Sequence, residues 1–326
     1  MSTTLVTGGT GLVGYNVIRA LQRRGRTVRA LVRNRERGEL LLPEGCLIAE
    51  GDVTLPDTLE SAVEGCDSVY HCAGLPEQWL KQPQRFHEVN VGGTRNVLDA
   101  AARAKVKTVV YTSTIDVFKA AQGAAYDESV IDDRPKGTHY ERSKQEADRV
   151  AVDFLGRGLD VRFLHPSGVF GPGPAGSPGI NQLIVDLSKG QLPMLLPGGF
   201  PVVYSEDVGE GHVLAEEKGV PGGRYILSDI YFTLTEISGL IVKALNKKSV
   251  PPVMPLWMGE VIATAGEGWS RISGKAPLIP RGQLHFLQWQ ARPRADRACA
   301  ELGWTRLPLK EALTRTIQYL NETGAL

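Results

Sequence analysis

The chain has 326 residues, 42% of them hydrophobic, and 37 Lys and Arg against 36 Asp and Glu give a formal net charge of +1. That is enough apolar material for one large domain or two smaller ones that fold unaided, and the balanced charge without a basic run argues against nucleic acid or an anionic membrane as main partner. No apolar stretch reaches transmembrane length and the first strand starts too early for a signal peptide, so a small-molecule partner and a cytoplasmic location are expected. The four cysteines, Cys46, Cys66, Cys72 and Cys299, show no paired metal spacing. They read as buried reduced thiols, and no metal site is expected.

In chain order, Thr3 to Thr7 is short and β-prone, Leu12 to Arg24 has helical periodicity, and Thr27 to Arg33 is a second strand. Between the first two lies Gly8-Gly9-Thr10-Gly11-Leu12-Val13-Gly14. Gly8 lets the chain turn tightly off the strand, Gly11 lets backbone N–H groups approach a phosphate, and Gly14 lets the helix pack close to the sheet. The helix N-terminus then faces negative charge, so a dinucleotide pyrophosphate fits there. A purely structural glycine turn has the same letters.

Further strands are expected at Cys46 to Glu50, Ser68 to Cys72, Lys107 to Thr112 and Asp160 to His165, alternating with helices at Leu55 to Glu64, Gln84 to Ala104 and His139 to Gly156. That alternation predicts an α/β fold, a doubly wound parallel Rossmann sheet. From Gly171 to Gly179 glycine and proline dominate, which predicts a loop between a nucleotide domain over 1–168 and a smaller, mostly helical substrate domain over 169–326, with about 201–227 returning to the first. Pockets form at such junctions. The second part reads as a helix near Asn181 to Lys189, a strand near Val202 to Tyr204, a helix from about Asp207 and several helices after Thr233. Leu256 to Ser270 is amphipathic and carries Trp257 and Trp269, a pattern of core packing or, alternatively, of a substrate lid. Trp289 and Trp304 read the same way.

Tyr140-Glu141-Arg142-Ser143-Lys144 places a phenol and an ammonium one helical turn apart. A free tyrosine ionises near pH 10, and bringing it to neutrality takes about 4 kcal/mol. A cation about 4 Å away supplies about that much at an effective dielectric of about 20. Tyr140 would then exchange a proton with a substrate oxygen. An exposed helical pair is the alternative, but this pair follows the fifth strand of a sheet whose first turn fits a dinucleotide.

On these residues, the chain resembles an extended short-chain dehydrogenase/reductase of the NAD-dependent epimerase/dehydratase superfamily over essentially its whole length. The matches are the Thr7 to Gly14 turn, Gly51-Asp52-Val53, His71-Cys72-Ala73-Gly74, Asn90-Val91-x-Gly93-Thr94, Tyr111-Thr112-Ser113-Thr114, the Tyr140/Lys144 pair and Pro166-x-x-Val169-x-Gly171-Pro172. The sequence is similar to dihydroflavonol reductases, 3β-hydroxysteroid dehydrogenases and bacterial hopanoid-associated sugar epimerases. The resemblance implies that Thr114 holds the substrate oxygen, with Ser113 as fallback, that Tyr140 is the acid/base, and that Lys144 anchors the ribose and tunes Tyr140. It implies that Asp52 and Val53 hold the adenine edge, that Ala73, Gly74 and Thr112 line the cofactor, and that Pro166, Ser167 and Val169 lie beside the nicotinamide. Asn90 reads equally as structural or functional, and Asp207 as a cap for its helix. The resemblance also implies a homodimer through the helices of Gln84 to Ala104 and His139 to Gly156.

An NAD enzyme usually presents a carboxylate at the end of the second strand, whereas Leu31-Val32-Arg33-Asn34-Arg35 presents guanidinium groups. That favours NADP(H) over NAD(H), with Arg33 on the 2′-phosphate and Arg35 helping; a solvated basic face is the alternative. Sugar-nucleotide dehydratases of the family place two carboxylates directly after the threonine, but here Ile115 precedes Asp116. Ile115 and Leu75, with Trp79 closing over them, suggest an apolar pocket for a carbonyl or alcohol on a hydrophobic body, and His165 is a core residue or a substrate contact. The leading expectation is a carbonyl reductase or alcohol dehydrogenase. The alternatives are a nucleotide-sugar epimerase or dehydratase with tightly held cofactor, and a non-catalytic dinucleotide sensor.

Overall fold

The computed structural model describes residues 3–174 and 179–326. Its strands are β1 (Thr3–Thr7), β2 (Thr27–Val32), β3 (Leu47–Glu50), β4 (Cys66–His71), β5 (Thr108–Thr112), β6 (Ala125–Tyr126), β7 (Val161–Pro166), β8 (Gly168–Phe170), β9 (Gly199–Tyr204), β10 (Arg224–Leu227), β11 (Ile230–Thr233) and β12 (Arg292–Pro293). Seven of them form a sheet in the order β10-β7-β5-β4-β1-β2-β3, with every neighbouring pair parallel.

Apart from the edge strand β3, the sheet strands are rich in β-branched and aromatic residues and largely buried on both faces, as a parallel sheet requires. Alternation along each strand sends Val6, Val110 and Leu164 to one face and Leu5, Val109 and Phe163 to the other. The first face packs on Val17, Ile18 and Leu21 of the Leu12–Arg23 helix and on Val208 and Val213 of the Ser205–Lys218 helix. The second packs on Val97 and Leu98 of the Gly93–Arg103 helix and on Ala147, Val150 and Ala151 of the His139–Gly156 helix. This is the expected doubly wound α/β fold.

After β7 the chain builds a small sheet, β11-β9-β8, packed with the helices Ile180–Lys189, Leu234–Ala244 and Leu309–Glu322. It also returns to the first sheet, through the Ser205–Lys218 helix on one face and as β10, which adds an outer strand beside β7. Of the expected glycine and proline loop, residues 175–178 lie outside the described residues. No helix among the described residues is long and apolar enough to cross a membrane.

Several elements differ from the sequence expectation. Leu55 to Glu64 is a 3-10 turn at Pro56–Thr58 and one α-helical turn at Glu60–Val63, because Pro56 fixes the entry without a capping side chain. The Gln84 to Ala104 helix contains a π-helical stretch at His87–Gly92. The edge pair β6 and β12 has only two residues per strand, too short for a periodicity to show. Trp257 and Trp269 are each 66% exposed, so the core-packing reading fails for them, whereas Trp304 is buried and donates to the Asp207 carbonyl at 2.8 Å. Asp207 does not cap its own helix: Oδ2 accepts from the Leu307 N–H at 2.8 Å.

Candidate active site

The strand order reverses between β1 and β4, so the helices after β1 and β4 leave on opposite faces and open a crevice at the carboxyl ends of these strands. The glycine turn lies there. Gly8 has φ +73°, and a Cβ on it would sit 2.7 Å from the Ala73 nitrogen. A Cβ on Gly14 would lie 2.3 Å from the Gly8 carbonyl oxygen, so the first helical turn packs against the strand exit only because Gly14 lacks a side chain. The Leu12–Arg23 helix starts with no side-chain cap and no acidic residue in its first turn. Its first N–H groups are therefore left to an anion, with half-buried Thr10, Gly11 and Val13 on the rim and Leu12 buried. This cradle fits a pyrophosphate.

Around it stand the other strand ends. Arg33 follows β2, is exposed, and has no carboxylate partner among the described residues, while Arg35 reaches Glu39 only at 4.0 Å. Asn34 between them caps the next helix through the Arg37 N–H at 2.7 Å. Asp52 turns Oδ1 to the Thr54 N–H and hydroxyl, both at 2.8 Å, which leaves Oδ2, and Val53 beside it is buried. Ala73 and Gly74 follow β4, where the Ala73 N–H donates to the Thr7 hydroxyl at 3.2 Å.

Three buried histidines lock the strand ends, and their tautomers follow from their partners. Thr94 donates its hydroxyl to the Asn90 carbonyl, so His71 Nε2–H must donate to Thr94 at 2.9 Å while Nδ1 accepts from Thr7 at 2.8 Å. His212 Nδ1–H donates to the Val208 carbonyl, so Nε2 accepts the Thr112 hydroxyl at 2.9 Å. Arg224 can only donate, so His165 Nε2 accepts from it at 3.2 Å and Nδ1–H donates to the Thr114 carbonyl at 3.1 Å. Burial pushes His71 and His165 down to about 3 and His212 to about 4, so all three are neutral at physiological pH.

Thr114, Tyr140 and Lys144 come together at this end of the sheet. A capping box at Thr138 and Glu141 starts the His139–Gly156 helix, which fixes Tyr140 in its first turn. Burial raises the Tyr140 phenol well above its ordinary range, and the Asp116, Glu141 and Glu77 carboxylates raise it further; the Thr114 hydroxyl acts in the opposite direction. Lys144 lies one turn further along the same helix and is buried. Its ammonium donates to the Thr112 carbonyl at 2.9 Å and lies 5.2 Å from the centre of the Tyr111 ring. Burial lowers it to about 8, against the pull of Asp148, Cys72 and Asp116.

Three expected substrate contacts lie elsewhere. Ser113 is buried and donates to Asp148 Oδ1 at 2.8 Å. Both ring nitrogens of His165 are used, as above. Ile115 is 1% exposed and belongs to the core beside Val117 and Phe118, because the 3-10 turn after Thr114 rotates it inward. Leu75 and Trp79 are half-buried on the loop after β4, and the Ser167 hydroxyl is buried with no partner among the described residues. Pro166 ends β7 and pairs with Leu227; Val169 sits in β8.

The structure adds Asp148, Arg224 and the Arg281–Trp289 helix, which the sequence reading missed, and shows what Asn90 bonds. Asp148 continues the stripe of Tyr140 and Lys144 at the same four-residue spacing, a signal available in the sequence, and takes Arg224 in a bidentate pair at 2.7 and 3.1 Å. Asn90 clamps the loop after β4 to the helix, accepting the Leu75 N–H at 2.7 Å and donating to the Ser143 hydroxyl at 2.9 Å. The Arg281–Trp289 helix covers Thr138 and Gln78, with His285 at 3.8 Å from Glu141.

Residues 4–228 match the NAD dependent epimerase/dehydratase family. The chain belongs to that family. This epimerase/dehydratase-family protein is an oxidoreductase of the extended short-chain dehydrogenase/reductase type. It is 30% identical to a putative dihydroflavonol 4-reductase from Synechocystis, over 98% of this chain and 94% of the relative. It is 28% identical to a 3 beta-hydroxysteroid dehydrogenase/Delta 5-->4-isomerase from Mycobacterium tuberculosis, over 98% and 90%. The crystal structure of gox2253 matches with a TM-score of 0.83 at 29% identity, over 100% of both chains.

Proposed function

We propose that this enzyme is an NADP(H)-dependent oxidoreductase that interconverts a ketone or aldehyde and the corresponding alcohol on a hydrophobic small molecule. The observation that carries it is that the Tyr140 phenol and the Thr114 hydroxyl act on each other at the carboxyl end of the parallel sheet, the end from which the glycine turn also leaves. Gly8 to Gly14 would hold the pyrophosphate, Asp52 and Val53 the adenine edge, Ala73, Gly74, Pro166 and Val169 the nicotinamide side, and Lys144 the ribose. The nicotinamide supplies or accepts the hydride when bound.

The protein's own part is to hold the substrate oxygen between Thr114 and Tyr140 and to pass a proton through Tyr140. A raised phenol pKa keeps Tyr140 protonated and so able to give its proton to the more basic alkoxide, and a bound oxidised nicotinamide and ribose-anchored Lys144 would lower it for the reverse direction. Arg33, without a carboxylate partner among the described residues, supports the choice of NADP(H). The relatives named for dihydroflavonol and steroid chemistry support a hydrophobic substrate, as do the half-buried Leu75 and Trp79. In this reading residues 1–168 with about 201–227 hold the nucleotide and the rest shapes the substrate pocket, in a cytoplasmic homodimer. Val152, 44% exposed on the His139–Gly156 helix, is available to such an interface.

The test is a panel of carbonyl compounds, aromatic to steroidal to sugar-linked, run with NADPH and NADH in parallel. Steady NADPH consumption with an apolar ketone or aldehyde is expected. Epimerisation of a nucleotide sugar with no net cofactor consumption would overturn the reading.

A further inference from the structure

Asp116 is a buried carboxylate at the site whose bonding is incomplete. It is 3% exposed, Oδ2 accepts the Thr114 hydroxyl at 2.8 Å, and Oδ1 has no hydrogen-bond partner among the described residues. A buried carboxylate with one oxygen unpaired is costly, which brings the neutral acid within reach. The groups facing it come from several elements. Burial and Glu141, on the first turn of His139–Gly156, favour the acid; Lys136, ahead of that helix, and Lys144 within it favour the carboxylate. The phenols of Tyr126 and Tyr140 also feel its charge.

Where the proton of this pair resides decides what Thr114 can offer. A threonine hydroxyl has one proton to give and two lone pairs. One lone pair takes the Asp116 backbone N–H, at 3.4 Å. With Asp116 ionised, the Thr114 proton is held by Oδ2, and the hydroxyl can present only its remaining lone pair, an acceptor matched to an alcohol. With Asp116 neutral, the carboxyl O–H donates to that lone pair and the Thr114 proton is released outward, a donor matched to a carbonyl.

We infer that Asp116 is a positioning residue that sets the hydrogen-bonding sense of the Thr114 hydroxyl and so biases the site between binding a carbonyl and binding an alcohol. The inference rests on the carbonyl–alcohol reading above. The switch exchanges one proton with solvent and leaves the hydride step unchanged.

The experiment compares wild type with Asp116→Asn, measuring kcat/KM against pH in both directions and, separately, the infrared band of a protonated carboxyl in the holoenzyme. In wild type, reduction should fall and oxidation rise by about tenfold per pH unit on the limiting side of the Asp116 ionisation. The substituted amide does not titrate, so in the variant both of these breaks should vanish while nucleotide affinity holds and the breaks due to Tyr140 stay. The carboxyl band should fade with rising pH, be absent in Asp116→Asn, and shift in Thr114→Val, which removes the bond to Oδ2. Breaks that persist in Asp116→Asn, breaks of the same sense in both directions, or no carboxyl band at any pH where the fold is intact would overturn it. Inactivity on every carbonyl and alcohol would remove the reductase reading alone, since the infrared titration reports on the Asp116–Thr114 proton without turnover.

Discussion

Replacing Arg224 with methionine keeps most of the side-chain volume and removes the cation that Asp148 needs. The two side chains are 14% and 3% exposed, and the pair is bidentate. Taking one partner from a buried ion pair strands the other charge, at a cost of about 3–5 kcal/mol. At about 2 °C per kcal/mol for a chain of this size, the melting temperature should fall by about 6–10 °C. The pH dependence carries a sign. In wild type, burial pushes the Asp148 carboxyl up, but Arg224 outweighs it and holds the group below the usual carboxylate range. Its contribution is therefore complete above the unfolded pKa of about 3.9 and is lost as pH falls through the lower folded value. In Arg224→Met the burial acts without its counterweight and the folded pKa rises above about 3.9, so the penalty is largest near neutrality and shrinks on acidification. Urea unfolding followed by tryptophan fluorescence, at about pH 7.5 and about pH 5, measures both effects. The double variant Asp148→Leu/Arg224→Met should recover most of the loss, because an apolar pair leaves no stranded charge. A penalty under about 1 kcal/mol, an equal penalty at both pH values, or no recovery in the double variant would refute the reasoning.

Tyr140→Phe should lower kcat by about 10²–10⁴-fold while leaving dinucleotide affinity nearly intact, and unchanged turnover would discard its role as acid/base. Arg33→Ala should reduce the preference for NADPH over NADH by about tenfold to a hundredfold, the value of one lost charge-assisted hydrogen bond, as read from the ratio of kcat/KM values. Gly14→Ala places a methyl 2.3 Å from the Gly8 carbonyl and must displace the turn. A loss of roughly 1–3 kcal/mol in stability and weaker dinucleotide binding, followed by calorimetry, are expected; unchanged binding would show the turn to be slack.

The N-terminal half is legible because its signals are local. Glycine spacing, short apolar strands and helical stripes each lie within a dozen residues, and β1, β2, β3, β5 and the His139–Gly156 helix stand where those signals put them. The site is less legible where it depends on contacts distant in sequence. Nothing near Ser113 announces that its hydroxyl is taken by Asp148, 35 residues on, or that Arg224 will reach His165 across 59 residues. Ile115 reads as a pocket wall because the tight turn after Thr114 has no periodicity of its own. Trp257 and Trp269 show the converse limit: an amphipathic pattern marks a helix, but not whether its apolar face meets the core or the outside.

The outer position of β10 has a consequence for how the protein can be cut. A fragment ending before residue 169 would retain the glycine turn, Tyr140 and Lys144, yet it would leave the backbone of β7 unpaired along one edge and Asp148 without its guanidinium. Such a fragment would be expected to aggregate, whereas one extended through Leu227 would retain both that edge pairing and that counterion. The two halves are interlaced in sequence, so neither could be exchanged by a single crossover in the gene.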